Sequence, residues 1–314
     1  MYRHSYKLYS LEMKTTSIWF LGSSLLCLAG FIRANDLLAL RSFCGYQHSD
    51  DYNRDSPDVT IDEFPWIAQL LYGKDRHVQC TGSLINNRYV LTAAQCLAYT
   101  SPVAVRLGDF NATSDKDCVY HTNFGEECSD PIQEFDIEEA IPHADFDKDT
   151  SKNDIGLIRL SRNVEYSGNP IVYPFGRGII AFSDYIRPIC LPTPNSRVIR
   201  GGEELALSGW GLLSDGGNLT EVKKKILATS VCLRQCNRFY RTFDKVLDRN
   251  NICAIETVSY SCHGDGGGPL MMSVRSQWEV VGLLLFGVRC DATTPSVYLN
   301  VKNYVGWIKA HVRK

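Results

Sequence analysis

CTGSLINNRYVLTAAQC, residues Cys80 to Cys96, sets a texture that the rest of the chain repeats. Asn86-Asn87 is a turn signal, and Tyr89 to Thr92 follows it as a short apolar, β-favouring run. Working outward, similar runs occur at Trp66 to Tyr72 (WIAQLLY), Val103 to Leu107, Ile155 to Leu160, Leu205 to Ser208, Trp278 to Leu285 and Val297 to Val301. Gly, Asn, Asp and Pro clusters separate them, among them Gly201-Gly202 and Ser214-Asp215-Gly216-Gly217. Many short strands so punctuated indicate an all-β sandwich or barrels. The closing segment has a different period. Val301, Tyr304, Val305, Ile308 and Val312 recur at helical spacing, which predicts a C-terminal amphipathic helix docked on the body. No internal repeat occurs.

Composition excludes a disordered, collagenous or coiled-coil chain: of 314 residues 44% are hydrophobic and 22% charged. A formal net charge of -2 gives no long-range pull toward nucleic acid or an anionic membrane. Residues 1–34 read as a secretory signal, with Arg3, Lys7 and Lys14 ahead of the apolar run Ile18 to Ile32 and a small residue at Ala34. That run is short against the roughly 20 apolar residues of a spanning helix. A signal anchor is the rival reading, and Met13 is an alternative start. Residues 35–57 form a polar extension, and residues 58–314 form the main domain. Among 12 cysteines Cys27 leaves with the signal, so an odd number remains for an oxidising exterior. No CxxC pair supports zinc. Asn111-Ala-Thr113 and Asn218-Leu-Thr220 are candidate glycosylation sites, at Asn111 and Asn218.

From Phe64 onward the chain resembles trypsin/chymotrypsin-like serine proteases of the secreted arthropod type. The segments that carry the resemblance stand in the family's order: EFPW (Glu63 to Trp66), the Cys80 to Cys96 stretch, NDIGLIRL (Asn153 to Leu160), IRPICLP (Ile186 to Pro192), SGWG (Ser208 to Gly211), NICA (Asn251 to Ala254), CHGDGGGPL (Cys262 to Leu270) and PSVYLNVKNYVGWI (Pro295 to Ile308). The resemblance implies two six-stranded antiparallel β-barrels with a cleft between them. It also implies a serine nucleophile, a histidine base and an orienting aspartate. Here the histidine position of LTAAHC holds Gln95 and the serine position of GDSGGP holds Gly266, while the aspartate position keeps Asp154. Gln95 cannot take a proton near neutral pH, and Gly266 has no side chain with which to form a covalent intermediate. The amides of Gly264 and Gly266 would make an oxyanion-hole-like pair. His263, Ser261, His77, His121 and His143 are the groups to weigh as relocated catalysts, and His263 reads as a rim residue.

Other departures point the same way. The activation segment falls at Asn53-Arg54-Asp55-Ser56, without the hydrophobic start or glycines of IVGG. Asp265 then lacks its expected ammonium partner and is expected to turn toward other donors, as in a zymogen. The primary pocket would have Tyr260 at its floor and Ser296 and Gly287 in its walls, and Leu285 replaces a serine beside the triad. The resemblance implies the disulfides Cys44–Cys190, Cys80–Cys96, Cys118–Cys128 and Cys262–Cys290. Cys253 pairs with Cys236 or Cys232, with Cys236 favoured. The leftover thiol is either a cross-linker or, by preference, buried or capped. Trp66, Trp210, Ile155 and Trp307 are expected in the core. No cofactor is required. The acidic loop Asp109 to Glu127, with Asp115, Asp117 and Glu126, overlaps the family's calcium loop and is otherwise a solvated surface.

The resulting expectation is a secreted, catalytically inactive homologue that works by binding proteins such as proteases or their inhibitors, or microbial surfaces, as a cofactor, decoy or regulator in an extracellular cascade or in innate immunity. The alternative is an active serine-type endopeptidase. A third reading is a protein of reproductive fluid or the digestive tract.

Overall fold

Isoleucine, leucine and tyrosine dominate β1 (Ile67–Tyr72), and every residue of that strand is buried, as a strand covered on both faces requires. A computed structural model describes residues 37–47, 59–121, 125–165, 184–211, 220–257, 264–288 and 293–314. In chain order β1 is followed by β2 (His77–Leu84), β3 (Tyr89–Thr92), the short helix α1 (Gln95–Ala98) and β4 (Ala104–Leu107). Next come the hairpin β5 (Cys118–His121) and β6 (Gly125–Cys128), then β7 (Gln133–Pro142) and β8 (Gly156–Leu160). All but the hairpin close into one antiparallel barrel in the order β1-β2-β3-β8-β7-β4. The second half supplies β9 (Glu204–Gly209), β10 (Lys224–Val231), α2 (Leu233–Tyr240), β11 (Asn251–Glu256), β12 (Pro269–Ser273), β13 (Trp278–Phe286) and β14 (Ser296–Asn300). Its six strands close as β10-β11-β14-β13-β12-β9. Closure leaves neither barrel an open edge, and register shifts at Leu70/Leu71 and Leu270/Met271 bend the strands that turn its corners.

The two six-stranded barrels are those that the resemblance implies. One core cluster runs through both, and the Trp66 indole N–H donates to the Met271 sulfur at 3.0 Å across the junction. A 3₁₀ turn at Val301–Tyr304 leads into α3 (Val305–His311), with Val301, Tyr304, Ile308 and Val312 buried. Arg159 of β8 clamps this end by donating to Tyr89 Oη (2.8 Å) and to the carbonyls of Arg313 (3.0 Å) and Lys314 (2.6 Å). Trp307 departs from its expected core position. It is half-buried and stacks against the His143 ring, centroids 5.2 Å apart.

Disulfides join Cys44–Cys190, Cys80–Cys96, Cys118–Cys128 and Cys236–Cys253. The N-terminal extension does more than hang from its bridge. Gly45 N–H donates to Pro188 O (2.8 Å) and Gly45 O accepts from Trp278 N–H (2.7 Å). Its φ is +69°, and a Cβ there would lie 2.2 Å from Trp278 O, so only glycine fits. Cys232 is free and exposed, which overturns the expectation of a buried thiol. It sits at the N-cap of α2, where its sulfur faces solvent, while Cys236 lies on the helix's buried face. Cys262, Cys290, Asn218 and Asn53 to Ser56 lie outside the described residues.

Candidate functional site

The site forms where α1, the turn before β8 and the glycine-rich turn before β12 meet β13. Gln95 opens α1 directly after β3, and its backbone N–H donates to Asp154 Oδ1 at 2.8 Å. Its side-chain amide donates to Leu285 O at 2.8 Å, so the Gln95 head is tied to β13. Asp154 follows Asn153, which has a φ of +54° and is held by Asp145 O (2.9 Å) and by the Tyr304 hydroxyl (2.9 Å). Asp154 is 1% exposed. Burial pushes its carboxyl up to about 7, although the amides of Gln95 and Ala94 pull in the other direction. Leu285 offers it no hydroxyl.

The glycine turn is anchored on both barrels. Gly266 O accepts from Thr81 N–H (3.0 Å), Gly264 O from Thr81 Oγ1 (3.2 Å), and Gly267 N–H donates to Leu284 O (2.9 Å). Gly267, at φ +78°, must be glycine, since a Cβ would meet Thr92 Oγ1 at 2.2 Å. Gly266 is different. A Cβ there would sit 3.7 Å from Cys80 Sγ and 4.0 Å from Cys96 Sγ, an ordinary contact. The backbone thus has room for a side chain that the sequence does not supply. Among the described residues the N–H groups of Gly264 and Gly266 donate to no backbone acceptor.

Asp265 is buried, and burial raises its carboxyl to about 7. Its Oδ1 accepts from Trp210 N–H (3.1 Å) and its Oδ2 from Gly211 N–H (3.0 Å). Gly209 makes room for it, because a Cβ at that position would lie 2.1 Å from Asp265 Oδ1. Among the pocket residues, Ser296 is buried at the start of β14 and Gly287 is exposed beyond β13, while Tyr260, Ser261 and His263 lie outside the described residues. Residue-by-residue reading missed Glu256, which is buried at the end of β11 and accepts a 2.5 Å hydrogen bond from Tyr298 Oη. Its only signal was an acidic residue ending an otherwise apolar strand. Two of the candidate histidines are engaged elsewhere: His77 Nδ1 lies 2.9 Å from Asp75, and His143 Nδ1 accepts from Asp145 N–H at 3.2 Å, while the His121 side chain lies outside what the structure describes.

Among the described residues of the acidic loop, Asp109 and Asp117 are turned toward partners within the chain. Asp109 faces Arg106 (3.2 Å), and the Asp117 oxygens accept from Phe110 N–H (2.7 Å) and Ser114 Oγ (2.6 Å). Buried Lys223 lies close enough to Asp109 and Asp117 to feel both charges, while burial lowers its ammonium to about 8. Cys118, Glu126 and Cys128 also cluster, but the two sulfurs are joined to each other. Asn111 is half-exposed beside Val222, its side-chain oxygen accepting from Thr113 Oγ1 at 2.8 Å.

The family model for trypsin matches residues 55–308 of this chain. The chain belongs to the trypsin family. Within the trypsin family it is 35% identical over 286 residues to phenoloxidase-activating factor 1 of Holotrichia diomphalia, covering 86% of this chain and 72% of that one. It is 34% identical over 269 residues to CLIP domain-containing serine protease B9 of Anopheles gambiae, covering 82% and 62%. Melanization protease 1 of Drosophila melanogaster is 33% identical over 296 residues, covering 88% and 69%. Among solved structures, the Drosophila Grass clip serine protease of the Toll pathway superimposes with a TM-score of 0.69 at 25% identity, covering 85% of this chain and 73% of that one. Trypsin-like serine proteases need no cofactor. No helix among the described residues is long and apolar enough to cross a membrane.

Proposed function

We propose that this trypsin-family chain is secreted and acts by binding rather than by cleavage, as a cofactor, decoy or regulator in an extracellular protease cascade of the kind that its relatives' names describe for phenoloxidase activation and melanization. The observation that carries the reading is Gly266. Its backbone has space for a Cβ, yet no atom stands there to attack a carbonyl. Gln95 supports the same reading. Its amide is spent on Leu285 O and has no basic lone pair, so no group at that point takes a proton from a nucleophile. Asp154, whose counterpart would orient a histidine, instead holds the Gln95 main chain.

Cleavage of a leader over residues 1–34, glycans at Asn111 and Asn218, and a domain spanning residues 58–314 belong to this proposal, and four disulfides are in keeping with an oxidising compartment. The partners are other secreted proteins, such as proteases and their inhibitors, gripped by surfaces around the former cleft. The test is to treat the purified protein with a serine-directed fluorophosphonate and with peptide esters. Neither labelling nor turnover is expected, and specific labelling of any serine overturns the reading. The double change Gln95→His with Gly266→Ser is expected to stay inactive too, because Asn53 to Ser56 and Tyr260 also depart from the family pattern.

A further inference from the structure

The turn that carries the sequon Asn111-Ala-Thr113 is held stiffly at its start and stands beside an open cavity. Ala112 N–H donates to Glu221 O (2.8 Å) and Ser114 N–H to Asn111 O (3.0 Å), which fixes Asn111 between the turn and the chain ahead of β10. The Asn111 side-chain oxygen accepts from Thr113 N–H (3.1 Å) and from Thr113 Oγ1 (2.8 Å). These two bonds set the plane of the amide. They leave Asn111 Nδ2, the atom to which a glycan is joined, without a partner among the described residues. The next residues of the turn, Ala112 to Asp115, form one wall of a cavity of about 390 Å³. Pro131 and half-buried Ile132, just ahead of β7, form a second wall. Arg106 of β4 and Glu134 of β7, paired at 2.6 Å, line it as well.

Chemistry and position together select the occupant. Pro131, Ile132 and Ala112 offer apolar contact, while Thr113 and Ser114 offer hydroxyls and Asp115 a carboxylate with no partner among the described residues. A pyranose ring is divided in the same way, with a C–H face and a rim of hydroxyls. The volume is within the range of sites that hold a small organic ligand. Position decides which sugar arrives there. A sugar on Asn111 Nδ2 begins one residue from the wall, on an amide that the wall residue Thr113 holds in place. Its binding is then intramolecular, at an effective concentration on the order of millimolar, which suffices for a contact too weak to capture a free saccharide. We propose that this cavity is the seat of the first N-acetylglucosamine of a glycan on Asn111, with the ring packed on Ile132 and its hydroxyls turned to Asp115. The seated sugar braces the mostly exposed turn 112–116 against the first barrel. This site rests on the reading of Asn111 as glycosylated, and it is independent of the reading of Gln95 and Gly266.

The test uses the full disulfide-bonded protein secreted from eukaryotic cells and carrying Asn218→Gln, so that only the Asn111 glycan varies. Mass spectrometry is expected to find the Asn111 peptide glycosylated. Amide hydrogen exchange over residues 112–116 is expected to be about tenfold slower than in the same protein with Asn111→Gln, and the melting temperature about 2–4 °C higher. Trimming with an endoglycosidase to a single N-acetylglucosamine should leave both gains in place, because only the first sugar is seated. In the trimmed protein a nuclear Overhauser contact between the sugar and the Ile132 methyl groups is expected. Asn111→Gln also shifts the amide that Thr113 holds, so Ile132→Ser supplies the comparison with that amide and the glycan intact. It should lose most of the exchange protection. A glycosylated Asn111 whose turn exchanges as fast as in Asn111→Gln, or equal protection in Ile132→Ser, overturns the proposal alone. An Asn111 that carries no glycan overturns it together with the reading of that residue as a glycosylation site.

Discussion

Replacing Asp154 by asparagine should make the protein more stable at neutral and alkaline pH. Asp154 is 1% exposed, and its described hydrogen bonds come from main-chain amides rather than from a cation. Its carboxyl titrates at about 7 when folded against an ordinary 3.8. At about 1.36 kcal/mol per pH unit, ionising it in place costs about 4 kcal/mol relative to the unfolded chain. The sign follows from proton counts. Below about pH 4 both states hold the proton and the stabilising contribution is complete. Between about pH 4 and 7 the folded state holds a proton that the unfolded state has released, so stability falls as pH rises. Above about 7 it levels off. Asparagine keeps an acceptor for Gln95 N–H and does not titrate. The gain from Asp154→Asn is therefore close to zero at pH 4 and approaches 4 kcal/mol at pH 8, or roughly 8–16 °C in melting temperature. Urea unfolding at both pH values, with disulfides intact and tryptophan fluorescence as the signal, measures it. An equal or lower stability of the variant at pH 8, or the same gain at pH 4, would refute the argument that charge burial dominates this site.

Glu63 and Lys225 form a buried pair at 2.9 Å, with side chains 1% and 4% exposed. Glu63→Gln should cost about 1.5–3 kcal/mol in a urea titration by removing the charge from this buried hydrogen bond, and Glu63→Met with Lys225→Met should recover most of that loss. Cys232 should react with a maleimide in the native protein, as mass spectrometry of the labelled peptide would report. Cys232→Ser should abolish that label and change stability by no more than about 0.5 kcal/mol.

Strands whose residues are apolar on both faces were legible without coordinates. β1, β3, β8 and β13 correspond closely to mainly apolar runs, broken only by single polar residues such as Gln69, Arg159 and Glu279, because burial on both faces leaves little room for alternation. β7 was not legible. Its sequence QEFDIEEAIP is rich in acid and stands outside the apolar runs, yet Glu134 pairs with Arg106 and Glu138 with Arg159, and exposed positions alternate with half-buried ones along the strand. β10 hides in the same way, since KKILATSV opens with lysines, one of which is buried against Glu63. At the site, the residue types at 95, 154 and 266 could be read along the chain, but not what they touch.

The amino-acid sequence alone determined that the chain builds short strands, that its order of motifs is that of a trypsin-like serine protease, and that positions 95 and 266 carry an amide and no side chain. Only the tertiary structure decided that Gln95 is tied to Leu285, that Gly266 has space for an atom it lacks, and that Cys236 rather than Cys232 meets Cys253. The reason is physical. Residue type sets what a group can donate, accept or ionise, whereas burial and pairing are set by atoms that lie far away along the chain and become neighbours only when the barrels close.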